Sequence, residues 1–161
     1  MKRVYVETSI VSYLTGRPSR NLLALAWREV TVEWWDRRRG QFEVFISELV
    51  REEAGRGNSQ AAQDRLNRLG GIPLLATTDG VVALARALIA GGALPAKAMG
   101  DALHISLCAV HRIDYLLTWN FRHLDNAELK PLVRAICLNN SYACPEICTP
   151  QELMGEIFDE G

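Results

Sequence analysis

The most constraining feature of this chain is an apolar helix that opens on an acid and runs straight into a short buried strand. The helix is predicted over 97–111, with Asp101 near its start and Leu103, Leu107 and Val110 on one face. The strand is predicted over 114–118 and ends in the polar run Thr118-Trp119-Asn120. Its interior residues, Tyr115-Leu116-Leu117, are apolar without alternation, as in a strand covered on both faces. A doubly covered strand fed by a helix belongs to a parallel α/β sheet.

The rest of the chain repeats this unit. Further strands are predicted over 3–6, 42–46, 72–75 and 146–148, the last at a sheet edge. A short helix over 10–14 follows the first strand, with Thr8 and Ser9 as its caps. Gly16-Arg17-Pro18-Ser19 breaks it, and Ser19 or Asn21 opens a long helix to about Arg39. Leu23, Trp27, Val30 and Trp34 recur there at helical spacing and are expected to form one buried stripe, flanked by Leu22 and Trp35. Ser47 caps a helix ending at Gly55 and Gly57, and another spans 59–69. Thr78 caps a helix that Gly91-Gly92 ends, and 128–138 reads as helical. Thr149-Pro150-Gln151-Glu152 has the form of a capping box opening a final helix. The expected fold is three-layer α/β/α, with a small, mainly parallel sheet of four or five strands and a single domain over 1–161.

Composition narrows the function. The 48% apolar content over 161 residues suits a globular core and argues against disorder. No apolar run approaches the roughly 20 residues of a membrane span. The chain enters its first strand directly after Met1-Lys2-Arg3, so a cytoplasmic protein is expected. The net charge is −1, so any contact with nucleic acid has to come from a local basic rim. Cys108 reads as a small core residue, and Cys137, Cys144 and Cys148 lack the paired spacing of a zinc site.

Ligands of a parallel sheet bind at the carboxyl ends of its strands. Glu7 follows the first strand at that rim, and Asn120 follows the fourth. Asp101 opens the helix that runs antiparallel into the fourth strand, so it returns to the same rim. Glu53, on the helix after the second strand, reaches the rim only if that helix tilts. Asp114 begins a strand and falls on the opposite rim. Acids crowded on one rim repel each other unless a cation or protons offset them, and hard divalent ions with oxygen ligands do so. Singly, each acid also reads as a cap or a surface charge.

Four segments carry a resemblance to a known family. They are Val4-Tyr5-Val6-Glu7-Thr8-Ser9, the run from Ile46 to Glu53, Asp101-Ala102-Leu103-His104-Ile105, and the run from Asp114 to Asn120. Together they resemble PIN-domain ribonucleases, in particular the VapC-type toxins of toxin–antitoxin pairs. The resemblance implies a cytoplasmic endoribonuclease that binds Mg²⁺ or Mn²⁺ through Glu7, Glu53 and Asp101, with Asn120 completing the ring and Glu52 as the fallback for Glu53. It further implies RNA as substrate, a homodimer and a cognate antitoxin protein as partner, with no membrane association. Two departures stand out: Glu7 lies where the family generally has Asp, and Asn120 where many members have a fourth Asp. Thr118 and the loop cations Arg17, Arg20, Lys97 and Arg122 are candidate substrate contacts.

Thr8 and His104 are candidate partners of the acids, His104 reading equally as a satisfied core histidine. Ser9 is expected to serve capping only, His111 and His123 to be peripheral, and Trp119 to pack in the core rather than stack on a base. A catalytically eroded binding module of the same fold is the competing reading. A phosphatase would want an Asp at position 7, and a dinucleotide-binding domain would want a glycine-rich loop after the first strand.

Overall fold

A computed structural model of the chain describes residues 1–155. Within them, five strands form one all-parallel sheet: β1 (Arg3–Val6), β2 (Glu43–Ser47), β3 (Leu74–Leu75), β4 (Tyr115–Leu117) and β5 (Glu146–Cys148). Their order is β3-β2-β1-β4-β5, which leaves β5 at an edge, as its sequence suggested. Registers Tyr5↔Phe45 and Tyr5↔Leu116 bring the ends of β1, β2 and β4 level. The chain first steps from β1 outward to β2 and β3, then crosses back to β4 on the other side of β1. The order therefore reverses between β1 and β4, and a crevice opens at their carboxyl ends.

Among the described residues, seven α-helices flank the sheet: α1 (Thr8–Thr15), α2 (Leu22–Glu33), α3 (Glu48–Ala54), α4 (Ser59–Leu69), α5 (Asp79–Ala90), α6 (Met99–Val110) and α7 (Lys130–Asn139). Helix α1 packs against α2, α3 and α4, while α5 packs against α6 and α7. These two groups form the outer layers of an α/β/α sandwich, as right-handed crossovers require once the strand order reverses. Val4, Tyr5 and Val6 are fully buried, and so are Leu116 and Leu117. Both faces of the central strands are covered, which explains their unbroken apolar runs.

Local signals placed most elements well. Helix α4 and strands β1 and β5 match their predicted bounds, and Asn21, Ser47 and Thr78 each cap the following helix with their side chains. Four expectations need correction. Helix α1 is capped by Glu7 rather than by Thr8 or Ser9. The predicted long helix stops at Glu33, passes into a π-helical turn over Trp34–Arg38 and ends in a 3₁₀ turn over Arg39–Gln41. The apolar stripe is buried only at its far end. Trp34 is fully buried, but Leu22 and Leu23 are 81% and 64% exposed. Thr149 and Glu152 do bond each other as a capping box, but a turn follows, and the rest of the expected final helix lies outside the described residues.

Candidate metal centre

Glu7 sits where β1 gives way to α1, with its backbone still extended (φ −77°, ψ 157°). That conformation turns its carboxylate back over the first turn of α1, where the helix dipole favours an anion. Its Oε2 accepts from the Ser9 amide at 3.0 Å. Its Oε1 accepts from the hydroxyls of Ser9 at 2.5 Å and Thr118 at 2.6 Å. Glu7 is only 6% exposed, yet no cation of the chain pairs with it among the described residues. Ser9 is thus more than a cap, for its oxygen also accepts from the Trp119 amide at 2.8 Å and ties the β4 loop to Glu7. The aromatic ring of Trp119 stacks on Trp27 and is buried, as expected for a core residue.

Glu53 lies near the C-terminal end of α3, where the dipole disfavours a carboxylate. Its neighbours hold it. Oε1 accepts from Thr8 Oγ1 at 2.6 Å and pairs with His104 Nε2 at 2.7 Å. Helix α3 has therefore brought Glu53 to the rim, and Glu52 is left exposed. Burial alone would raise the Glu53 carboxyl. The His104 hydrogen bond and charge, with the Thr8 hydroxyl, more than offset this and hold it below its ordinary value of 4.5.

His104 is fully buried, one turn after Asp101 on α6. Its Nδ1 meets the Tyr5 hydroxyl at 2.7 Å. Burial pushes the imidazole down, but its bond to Glu53 and the charges of Glu7, Glu53 and Asp101 together raise it above its ordinary 6.5.

Asp101 occupies the first turn of α6, a favourable place for an acid. Its Oδ1 accepts from Asn120 Nδ2 at 3.2 Å, and its Oδ2 pairs with His123 Nδ1 at 3.0 Å. His123 is therefore not peripheral. The Asn120 Oδ1 accepts from the amides of Arg122 and His123, each at 3.1 Å, and this turn swings His123 onto Asp101. His111 stays away from the rim and bonds the Ala76 carbonyl.

Asp114, just before β4, lies at the opposite rim, bonded to the Arg3 amide. Thr118 is fully buried, with its hydroxyl on Glu7 rather than facing outward toward a substrate. Arg17, Arg20, Lys97 and Arg122 are exposed. The four cysteines are free thiols and take no part in the acid cluster.

One oxygen each of Glu7 and Glu53 and one nitrogen of His104 lie within 4.8 Å of one another. Asp101 stands outside this set. Helix α6 nonetheless begins beside Glu53, since a Cβ built on Gly100 would lie 3.7 Å from Glu53 Oε2. Among the described residues the three acids pair with two histidines and with neutral donors only, so acids outnumber their paired cations at the switch point of the sheet. That donor set fits a hard divalent cation held by carboxylate oxygens and water.

Comparison with known families matches residues 4–129 to the PIN domain. Neither curated proteins nor solved structures gave a match. The matched span includes Glu7, Glu53, Asp101 and Asn120 and four of the five strands, and the chain belongs to the PIN domain family, whose members are generally metal-dependent nucleases.

Proposed function

We propose that this chain, read as one domain over 1–161, is an Mg²⁺- or Mn²⁺-dependent endoribonuclease and the toxin of a VapC-type toxin–antitoxin pair. The supporting observation is the convergence of buried Glu7 with Glu53 at the carboxyl rim of the sheet, with no ion pair from a lysine or arginine to either among the described residues. Glu7 and Glu53 would hold the ion directly, and Asp101 would hold it through water, from the start of α6. The ion would supply a water of lowered pKa and offset charge on the phosphate oxygens.

The chain's own residues do the rest. Ser9 and Thr118 fix the Glu7 carboxylate by donating to it. Asn120 and His123 orient Asp101 from its other side. Exposed Arg17, Arg20, Lys97 and Arg122 would grip the RNA backbone, since a protein of net charge −1 has to gather cations locally to hold a phosphate chain. A cytoplasmic location, a homodimer and a cognate antitoxin protein complete the reading.

The test is cleavage of end-labelled single-stranded RNA with Mg²⁺ or Mn²⁺ and with EDTA, for wild type and Asp101→Ala. Metal-dependent cutting that the substitution abolishes is the expected result. Folded protein that cuts no RNA with either metal would favour the eroded binding module, the reading that Glu7 and the neutral Asn120 support.

A further inference from the structure

Behind the acids runs a chain of buried hydrogen bonds that the nuclease reading does not itself require. It starts at the Val50 amide, which donates to Ser47 Oγ at 3.3 Å and so caps α3. Ser47 Oγ meets the Tyr5 hydroxyl at 2.7 Å, and that hydroxyl meets His104 Nδ1 at 2.7 Å. His104 Nε2 then reaches Glu53 Oε1 at 2.7 Å. Ser47, Tyr5 and His104 are all fully buried, and they come from β2, β1 and α6. Three parts of the fold are therefore linked in series to one oxygen of Glu53, which His104 touches directly and which also accepts from Thr8.

The direction of the protons follows from donor and acceptor counting. A neutral His104 carries its proton on Nε2, aimed at the Glu53 carboxylate, so Nδ1 accepts the Tyr5 hydrogen. Tyr5 then accepts the hydrogen of Ser47, whose Oγ also accepts from the Val50 amide. If the ring is charged, both nitrogens donate and Tyr5 turns its hydrogen toward Ser47. Nε2 carries a proton in either state, because it faces a carboxylate.

We propose that Tyr5 and His104 are positioning residues of the metal centre: together they fix one oxygen of Glu53, and they leave no imidazole nitrogen free, so that an ion bound there takes oxygen ligands only. This rests on the metal-centre reading above. It also decides between two roles for His104, whose nitrogen is near enough to the acids to serve as a ligand. An imidazole in the coordination sphere would draw the site toward zinc and its neighbours, whereas an all-oxygen sphere suits magnesium and manganese. Tyr5 secures the second outcome by occupying Nδ1 and holding the ring in the plane that serves Glu53.

The test is Mn²⁺ binding by the full chain, followed by calorimetry and by pulsed electron paramagnetic resonance, for wild type, Tyr5→Phe, His104→Ala and His104→Gln. Wild type is expected to bind Mn²⁺ without the nitrogen coupling of a ligated imidazole. Tyr5→Phe and His104→Ala are expected to lose roughly 10- to 100-fold in Mn²⁺ affinity, as orienting partners of metal ligands do. His104→Gln, whose amide can still donate to Glu53, is expected to recover part of that loss. Directly coordinated nitrogen in the wild type would overturn the proposal while leaving the metal centre intact. So would wild-type affinity in both Tyr5→Phe and His104→Ala. Absence of Mn²⁺ binding by folded wild type would overturn the metal centre and this proposal with it.

Discussion

The Thr118 hydroxyl donates to Glu7 Oε1 across 2.6 Å and so ties together the carboxyl ends of β4 and β1, the two strands between which the sheet order reverses. The bond spans 111 residues of sequence and is buried. Thr118→Val keeps the shape and removes the donor. A hydrogen bond to a charged group contributes about 1.5–3 kcal/mol, so a loss in that range is expected from urea unfolding in EDTA. An unchanged midpoint would show that Glu7 is held by Ser9 alone.

Asn120→Asp would add the fourth acid that many PIN domains carry. Without metal it should destabilise the protein, since Asn120 Nδ2 now donates to Asp101 and a carboxylate there would repel it. With Mn²⁺ the order should reverse, and the variant should bind the ion more tightly than wild type. Thermal unfolding with and without Mn²⁺ reads both signs in one experiment.

Metal should stabilise the wild-type fold by mass action. An ion at 100 times its dissociation constant adds about 2.7 kcal/mol to the folded state. The rise in Tm should vanish in Glu7→Gln and shrink in Asp101→Asn, because only the first removes a charge from the central cluster. Equal rises in all three proteins would place the bound ion elsewhere.

The metal-free protein should be most stable in mildly acidic solution. Glu53 is held below its ordinary 4.5, so its contribution is complete above that value and is lost as pH falls through the lowered one. His104 is raised above its ordinary 6.5, so its contribution is complete below 6.5 and is lost as pH rises through the raised value. Both are complete between 4.5 and 6.5. Tm measured in EDTA across pH should peak in that window, and His104→Gln should lack the fall on the alkaline side.

The placement of several candidate site residues was legible because strand ends and helix starts can be read locally. Glu7, Asp101 and Asn120 each lie at a boundary marked by a change from apolar to polar sequence, and the parallel-sheet rule puts such boundaries on one rim. Glu53 was harder, since a residue one and a half turns into a helix reaches the rim only through the tilt of that helix. Ser9 and His123 were misjudged. Ser9 looked sufficient as a cap, and His123 fell in a loop without periodicity. The Asn120 Oδ1 bonds to the next amides offered the one available signal, an Asx turn that folds position 123 back.

The sequence by itself determined where most strands and helices form and how Asn21, Ser47 and Thr78 cap theirs, because spacing, caps and glycine breaks act within one or two turns. It also determined that the sheet is parallel and covered on both faces. Only the tertiary structure decided which side chains meet: Tyr5 with His104, 99 residues apart, Thr8 with Glu53, 45 apart, and His123 with Asp101. Side-chain hydrogen bonds of this kind depend on how packed elements turn and tilt against one another to within an ångström or so. That rotation is set by the whole core and leaves no period in the chain.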